Sequence, residues 1–192
     1  NGDDGIWMDG GVSAITGDAT LTFRRVEASW NVNDGIHMYY SPVETVTGNA
    51  TILLEGDDMI YNGEDGMQMY ESGAIVHETG DASVIFNDID AFYNGGDGIN
   101  MSFGAVVEGV GDATFTMTDV DASYNGGGDS GIHINGSAAT AVTGNATATF
   151  QNITAISNNG DGIYVGSAVA TTVTGNATVI FDNIDASNNN QD

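Results

Sequence analysis

The chain has 192 residues, no Cys, 27 acidic residues against two basic ones, and a formal net charge of −25 at pH 7. This excludes a disulfide framework and thiolate metal sites, and so acidic a surface repels nucleic acid and anionic lipid. No apolar run approaches the roughly 18 residues of a membrane span, so membrane insertion is not expected.

Disorder is argued against by the 41% of hydrophobic residues, which recur at regular places. The glycine of a "DGI"-like step falls at Gly5, Gly35, Gly66, Gly98, Gly131 and Gly162. A second, in "TG[DN]A", falls at Gly17, Gly48, Gly80, Gly111, Gly144 and Gly175. Successive units are therefore 30 to 33 residues long, and six of them fill the chain. They run approximately over 1–30, 31–61, 62–93, 94–124, 125–157 and 158–192, as one domain spanning 1–192.

Three short segments of each unit read as strands in chain order. The first is "GIxM", as in Ile6/Met8 and Ile99/Met101. The second is "A[TS]hxF", as in Ala19/Leu21/Phe23 and Ala177/Val179/Phe181. The third is "[IV]xAS", as in Val26/Ala28 and Ile184/Ala186. All three alternate apolar with polar, the period of a strand with one buried face. Gly, Asn and Asp cluster between them as turn chemistry. No window carries apolar residues at helical spacing, and one unit making one coil predicts an all-β parallel β-helix (β-solenoid). Six coils at the ~4.8 Å strand spacing give a rod roughly 29 Å long.

"SNNGDGIYV", followed by a turn and another short strand, resembles the parallel β-helix repeats of pectate-lyase-like proteins. The resemblance implies a right-handed coil and an extracellular, cell-surface setting. It carries no activity with it. Asn31, Asn62, Asn94, Asn125 and Asn158 resemble the asparagine ladder that such helices stack at a bend.

In a solenoid the equivalent residues of successive units form columns. The column Trp30, Tyr61, Tyr93, Tyr124 points inward if the alternation of the third strand continues, as a structural aromatic stack; an exposed carbohydrate platform is the alternative. The column Trp7, His37, Gln68, Asn100, His133, Tyr164 faces outward, as a tolerant surface or a glycan-binding row. His37 and His133 lie too far apart to share one ion, which argues against zinc or copper.

One acidic row is Asp4, Asp34, Asp65, Asp97 and Asp161, with Ser130 in unit five. A second reads Asp18, Asn49, Asp81, Asp112, Asn145, Asn176, and a third Glu27, Asp58, Asp90, Asp121, Thr154, Asp185. Stacked carboxylates repel unless donors or ions intervene. Either turn amides bind the first row or neighbours share Ca²⁺, for which Asp4, Asp34, Asp65, Asp97, Asp161, Asp18, Asp81 and Asp112 are the candidate ligands. No other cofactor is expected. Asn49, Asn145 and Asn176 open "NAT" glycosylation sequons.

Catalysis is not expected. A lyase on polyuronates wants basic residues, and only Arg24 and Arg25 are present; no carboxylate pair for a glycosidase stands apart from the rows. No capping sequence is visible beyond either outer unit. The expected partners are copies of the chain end to end, or neighbouring repeats of a longer chain, in a surface protein or fibre. A carbohydrate-binding adhesin is the alternative function, with glycans as partners, and a lyase-like or glycosidase-like enzyme a further one.

Overall fold

The computed structural model describes residues 2–127 and 129–191. The outer repeat boundaries at Asn1 and Asp192, and Gly128 of the expanded turn in unit five, lie outside the described residues.

All the elements are β-strands, three to a coil. The first coil holds β1 (Ile6–Asp9), β2 (Val12–Thr16) and β3 (Ala19–Arg24), and the second β4 (Ile36–Tyr39), β5 (Val43–Thr47) and β6 (Ala50–Asp58). The third holds β7 (Met67–Met69), β8 (Ala74–Thr79) and β9 (Ala82–Asp90), and the fourth β10 (Ile99–Met101), β11 (Ala105–Val110) and β12 (Ala113–Asp121). The fifth holds β13 (Ile132–Ile134), β14 (Ala139–Thr143) and β15 (Ala146–Thr154), and the sixth β16 (Ile163–Val165), β17 (Ala170–Thr174) and β18 (Ala177–Asp185). Equivalent strands pair in parallel to give three six-stranded sheets, β1-β4-β7-β10-β13-β16, β2-β5-β8-β11-β14-β17 and β3-β6-β9-β12-β15-β18. This is the parallel β-solenoid that the repeat predicts.

Like stacks on like inside. Ile36, Met67, Ile99 and Ile132 form one column of the first sheet, in register and fully buried. On the third sheet, large and small side chains compensate. Phe115 stands beside Ala148, while Met117 stands beside Phe150. Such complementary volumes keep a core at crystal-like density without strain.

The division of each coil into strands differs from the expected one. The second sheet, made by segments such as "VETVT" and "ATAVT", was not among the expected strands. Its segments vary most between coils, and its ladder shifts register between Thr45 and Thr47 and again between Val107 and Val110. Conversely, the expected second strand and the start of the third run together as one nine-residue strand from coil two onward. That strand bends at a residue in the left-handed region, Gly56, Asp88, Asp119, Asn152 or Asn183. Two consecutive residues then face away from the core, and the alternation restarts: in β12, Thr118 and Asp119 both avoid the core before Val120 re-enters it.

Candidate functional face on the first sheet

The corner between the third and first sheets follows one recipe in each coil. A left-handed residue (Trp30, Tyr61, Tyr93, Tyr124, Ser157, Asn188) turns the chain out. The next residue is an Asn whose side chain points in, buried in the first five coils and half-buried at Asn189. In coils one to three and in coil five an Asp follows three residues after the Asn, then a Gly, and the first-sheet strand begins.

The Asn column is a ladder. The backbone N–H of Asn62 donates to Asn94 Oδ1 at 3.0 Å and its Nδ2 to the same oxygen at 3.1 Å. The pattern runs from Asn31 through to Asn189, always from one coil to the oxygen of the next. The Asp column runs the other way. The N–H of Asp34 donates to Asp4 Oδ1, Asp65 to Asp34, Asp97 to Asp65 and Ser130 to Asp97, at 2.5 to 3.0 Å. Both ladders approach so closely that the glycine after the Asp is obligatory. A Cβ on Gly98 would meet the carbonyl oxygens of Ala91 and Gly131 at 2.6 Å.

These bonds leave one oxygen of each Asp for the outer face of the first sheet. The expected outward row, Trp7, His37, Gln68, Asn100, His133 and Tyr164, is a true register row across all six strands. Its polar members turn onto the acids. His37 Nδ1 lies 2.9 Å from Asp34 Oδ2, Gln68 and Asn100 donate to Asp65 Oδ2 at 3.2 and 2.9 Å, and His133 Nδ1 lies 3.2 Å from Asp97 Oδ2. Two columns that look independent in the sequence are thus one site. Burial, the Asp65 and Asp4 charges and Glu64 push Asp34 from its ordinary value of 3.8 up to about 7. Burial, Asp65 and Asp129 push Asp97 up to about 7. Asp65 is raised as well, chiefly by burial, against the donors it accepts from Asn100, Asp97 and Gln68.

Trp30, Tyr61, Tyr93 and Tyr124 do not point inward. They are 41–66% exposed, because each sits at the left-handed corner residue, where two positions in succession leave the core. They do stack, with centroids 4.3, 5.1 and 5.0 Å apart and planes within 8–21° of parallel. Successive rings cover one another's faces, so the column presents ring edges to solvent rather than a flat sugar platform. Sequence reasoning missed another aromatic group on the first sheet. Trp7, His37, Tyr40 and Tyr70 gather around Tyr39, with Tyr39 and Tyr70 stacked at 5.0 Å. "HMYY" and "MQMY" carry its signal, an aromatic two places beyond the outward row.

The remaining candidates lie elsewhere. Asp18, Asp81 and Asp112, with Asn49, Asn145 and Asn176, form a third, exposed ladder on backbone N–H groups at 2.7 to 3.1 Å. Within it the sequon nitrogens of Asn145 and Asn176 donate to the neighbouring side-chain oxygens. Asp161, half-buried, continues the first-sheet Asp column in the sixth coil. His77, missed by sequence reasoning, bridges Glu44 and Glu108 of the flanking coils at 2.5 and 2.6 Å, and these bonds raise its pKa. Its signal is the "VHETG" segment, whose His falls between Glu44 of the coil before and Glu108 of the coil after. Among the described residues, one group brings three metal-ligating side chains within 4.8 Å: Asp4, Asp34 and His37.

Fold and ladders together define a parallel β-solenoid braced by rungs of asparagine and aspartate. Comparison of the chain with protein-family models, with curated proteins and with solved structures finds no match.

Proposed function

We propose that the chain is a non-catalytic structural repeat of an extracellular surface protein or self-assembling fibre, working by axial strand pairing. The observation that carries this reading is the complementarity of the two outermost coils. In the inner column of the third sheet, Phe150 is fully buried while Phe181 is 53% exposed, and Phe23 at the opposite end is only partly buried. β18 pairs only with β15 and β3 only with β6, so each offers an open edge among the described residues. Laid on β18 in the register of the other junctions, a second β3 would put Phe23 over Phe181 and Arg24 over Asp182. The chain's two basic residues thus sit in the coil that would meet that acidic end.

The acidic exterior, screened or bridged by cations such as Ca²⁺, opposes side-by-side clumping. The resemblance to pectate-lyase-like repeats supports the extracellular setting. Electron microscopy of the purified chain is the test. Filaments with an axial repeat of roughly 29 Å, six coils at ~4.8 Å, are expected. Short separate rods at every concentration would sink end-to-end assembly and leave the repeat as a spacer within a longer array.

A glycan-binding adhesin is the second reading, favoured by Trp7 and Tyr164, which are 57% and 40% exposed on the first sheet. Between them lies a shallow cleft of about 300 Å³ lined by Asp65, Gln68, Asp97, Asn100 and Asp129. A glycan array discriminates the two readings, since the structural one requires no bound sugar.

A further inference from the structure

We propose that Tyr93 and Tyr124 form an oxidative cross-linking site, their rings joined as a dityrosine between successive corners of the solenoid. Their centroids lie 5.0 Å apart, with planes 21° from parallel. Both rings are exposed, at 43% and 45%, so a one-electron oxidant reaches their edges. The backbones beneath them are fixed one rung apart. Asn94 and Asn125, the next residue in each coil, are tied by two hydrogen bonds of 3.0 and 3.2 Å. Groups held in this way couple ahead of groups that must meet by diffusion. The net charge of −25 also keeps other copies at a distance in dilute solution.

The chemistry balances with hydrogen peroxide as the oxidant and a haem peroxidase to deliver it. Each phenol gives up one electron and its O–H proton, leaving a radical shared between oxygen and the ring carbons beside it. The two radicals pair, and one carbon–carbon bond forms between those ring carbons. The hydrogen on each bonded carbon then moves to oxygen and restores the phenol. Peroxide takes up the two electrons and two protons and leaves as two waters. The chain has no Cys, so oxidation cannot brace its coils with disulfides. A dityrosine closes a loop of one coil in the same manner.

The neighbouring rings single out this pair. Tyr61 also stacks on Tyr93, at 5.1 Å, but Trp30 covers its other face at 4.3 Å. Beyond Tyr124 the column continues as Ser157, so no ring of the column holds its far side. Tyr124 can therefore turn its edge toward Tyr93, as a bond between ring carbons requires. Tyr39 and Tyr70 stack at 5.0 Å as well, yet Tyr39 is half-buried and Tyr40 meets it edge-on at 4.6 Å, which holds its ring in place. The link lies within one chain, so it stands or falls apart from end-to-end assembly.

The test is treatment of the whole chain, in dilute solution, with haem peroxidase and limiting hydrogen peroxide. Cleavage at Asp and Glu followed by mass spectrometry then maps the joined peptides. The expected main product is a single chain lighter by two hydrogens, with dityrosine fluorescence, in which the peptides of Tyr93 and Tyr124 are joined. Its yield should hold on dilution, and its urea midpoint should lie above that of the untreated chain. Tyr124→Phe keeps the stacked ring without the phenol, and should redirect Tyr93 to Tyr61 at a several-fold lower yield. Tyr39→Phe should leave the link between Tyr93 and Tyr124 unaltered. The proposal is overturned if joined peptides arise only between chains and fade on dilution, or if another pair within the chain predominates. It is equally overturned if no dityrosine forms under conditions that couple free tyrosine.

Discussion

Asp34 and Asp97 hold protons that exposed carboxylates would have released, each pushed from 3.8 to about 7 by burial and neighbouring acids. A carboxyl raised on folding stabilises the fold below its unfolded value and loses that contribution as pH climbs through its folded value. Stability should therefore decline between pH ~4 and ~7, by on the order of several kcal/mol for the pair. Self-repulsion within a chain of net charge −25 acts in the same direction. Asp97→Asn, which keeps an oxygen for the Ser130 amide, should flatten this dependence in urea unfolding across that range. An unchanged slope would mean that Asp97 ionises freely. The acids were visible in the sequence as a repelling row. What the sequence hid was their burial, because the turn folds each Asp beneath the outward row instead of leaving it on the surface. Asp57 is the opposite case: it stands beside Ile89 in an aliphatic column, and it is buried, with Oδ1 accepting the Val26 N–H at 2.7 Å.

At the scale of the element, the corner decides what each column does. Asn94 is buried and holds four bonds, two accepted from Asn62 and two donated, to Asn125 Oδ1 and to the Met59 carbonyl. Tyr93, one residue before it, is an exposed ring. Asn94→Ala strands the Asn62 amide and the Met59 carbonyl, at about 1–3 kcal/mol for each buried unsatisfied group. Tyr93→Asn forfeits two stacking contacts of about 0.5–1.5 kcal/mol each and keeps a residue at ease at positive φ. The Asn variant should lose more in denaturant midpoint than the Tyr variant; the reverse order would make the aromatic column the true brace. The coil count, the solenoid and the Asn ladder were legible from glycine spacing and repeated turns. The inward aromatic stack was misread because period-2 alternation is blind to a left-handed residue, which inserts one extra outward position. The second sheet went unread because its segments differ in length and composition from coil to coil.

For the whole molecule, the question is whether the outer coils recognise each other. Within the chain, the column that begins with Arg24 makes contacts between coils at both ends, Arg24 to Glu55 at 2.9 Å and Gln151 to Asp182 at 2.8 Å. A second copy on the last coil would set Arg24 between Glu55 and Asp182. Asp182→Arg should therefore raise the concentration needed for assembly about tenfold, equivalent to ~1.4 kcal/mol, with Arg24→Glu in the same chain restoring part of the loss. Sedimentation across a dilution series reads this directly, and an unaltered threshold would show that the charge pair plays no part.

The opposed ladders have one further consequence. Asn rungs send their protons toward the last coil, while Asp rungs send theirs toward the first. Turned upside down, the rod would offer donors to donors and oxygens to oxygens. It has a direction built into every rung, like the nap of a cloth, so rods stacked end to end must all point one way.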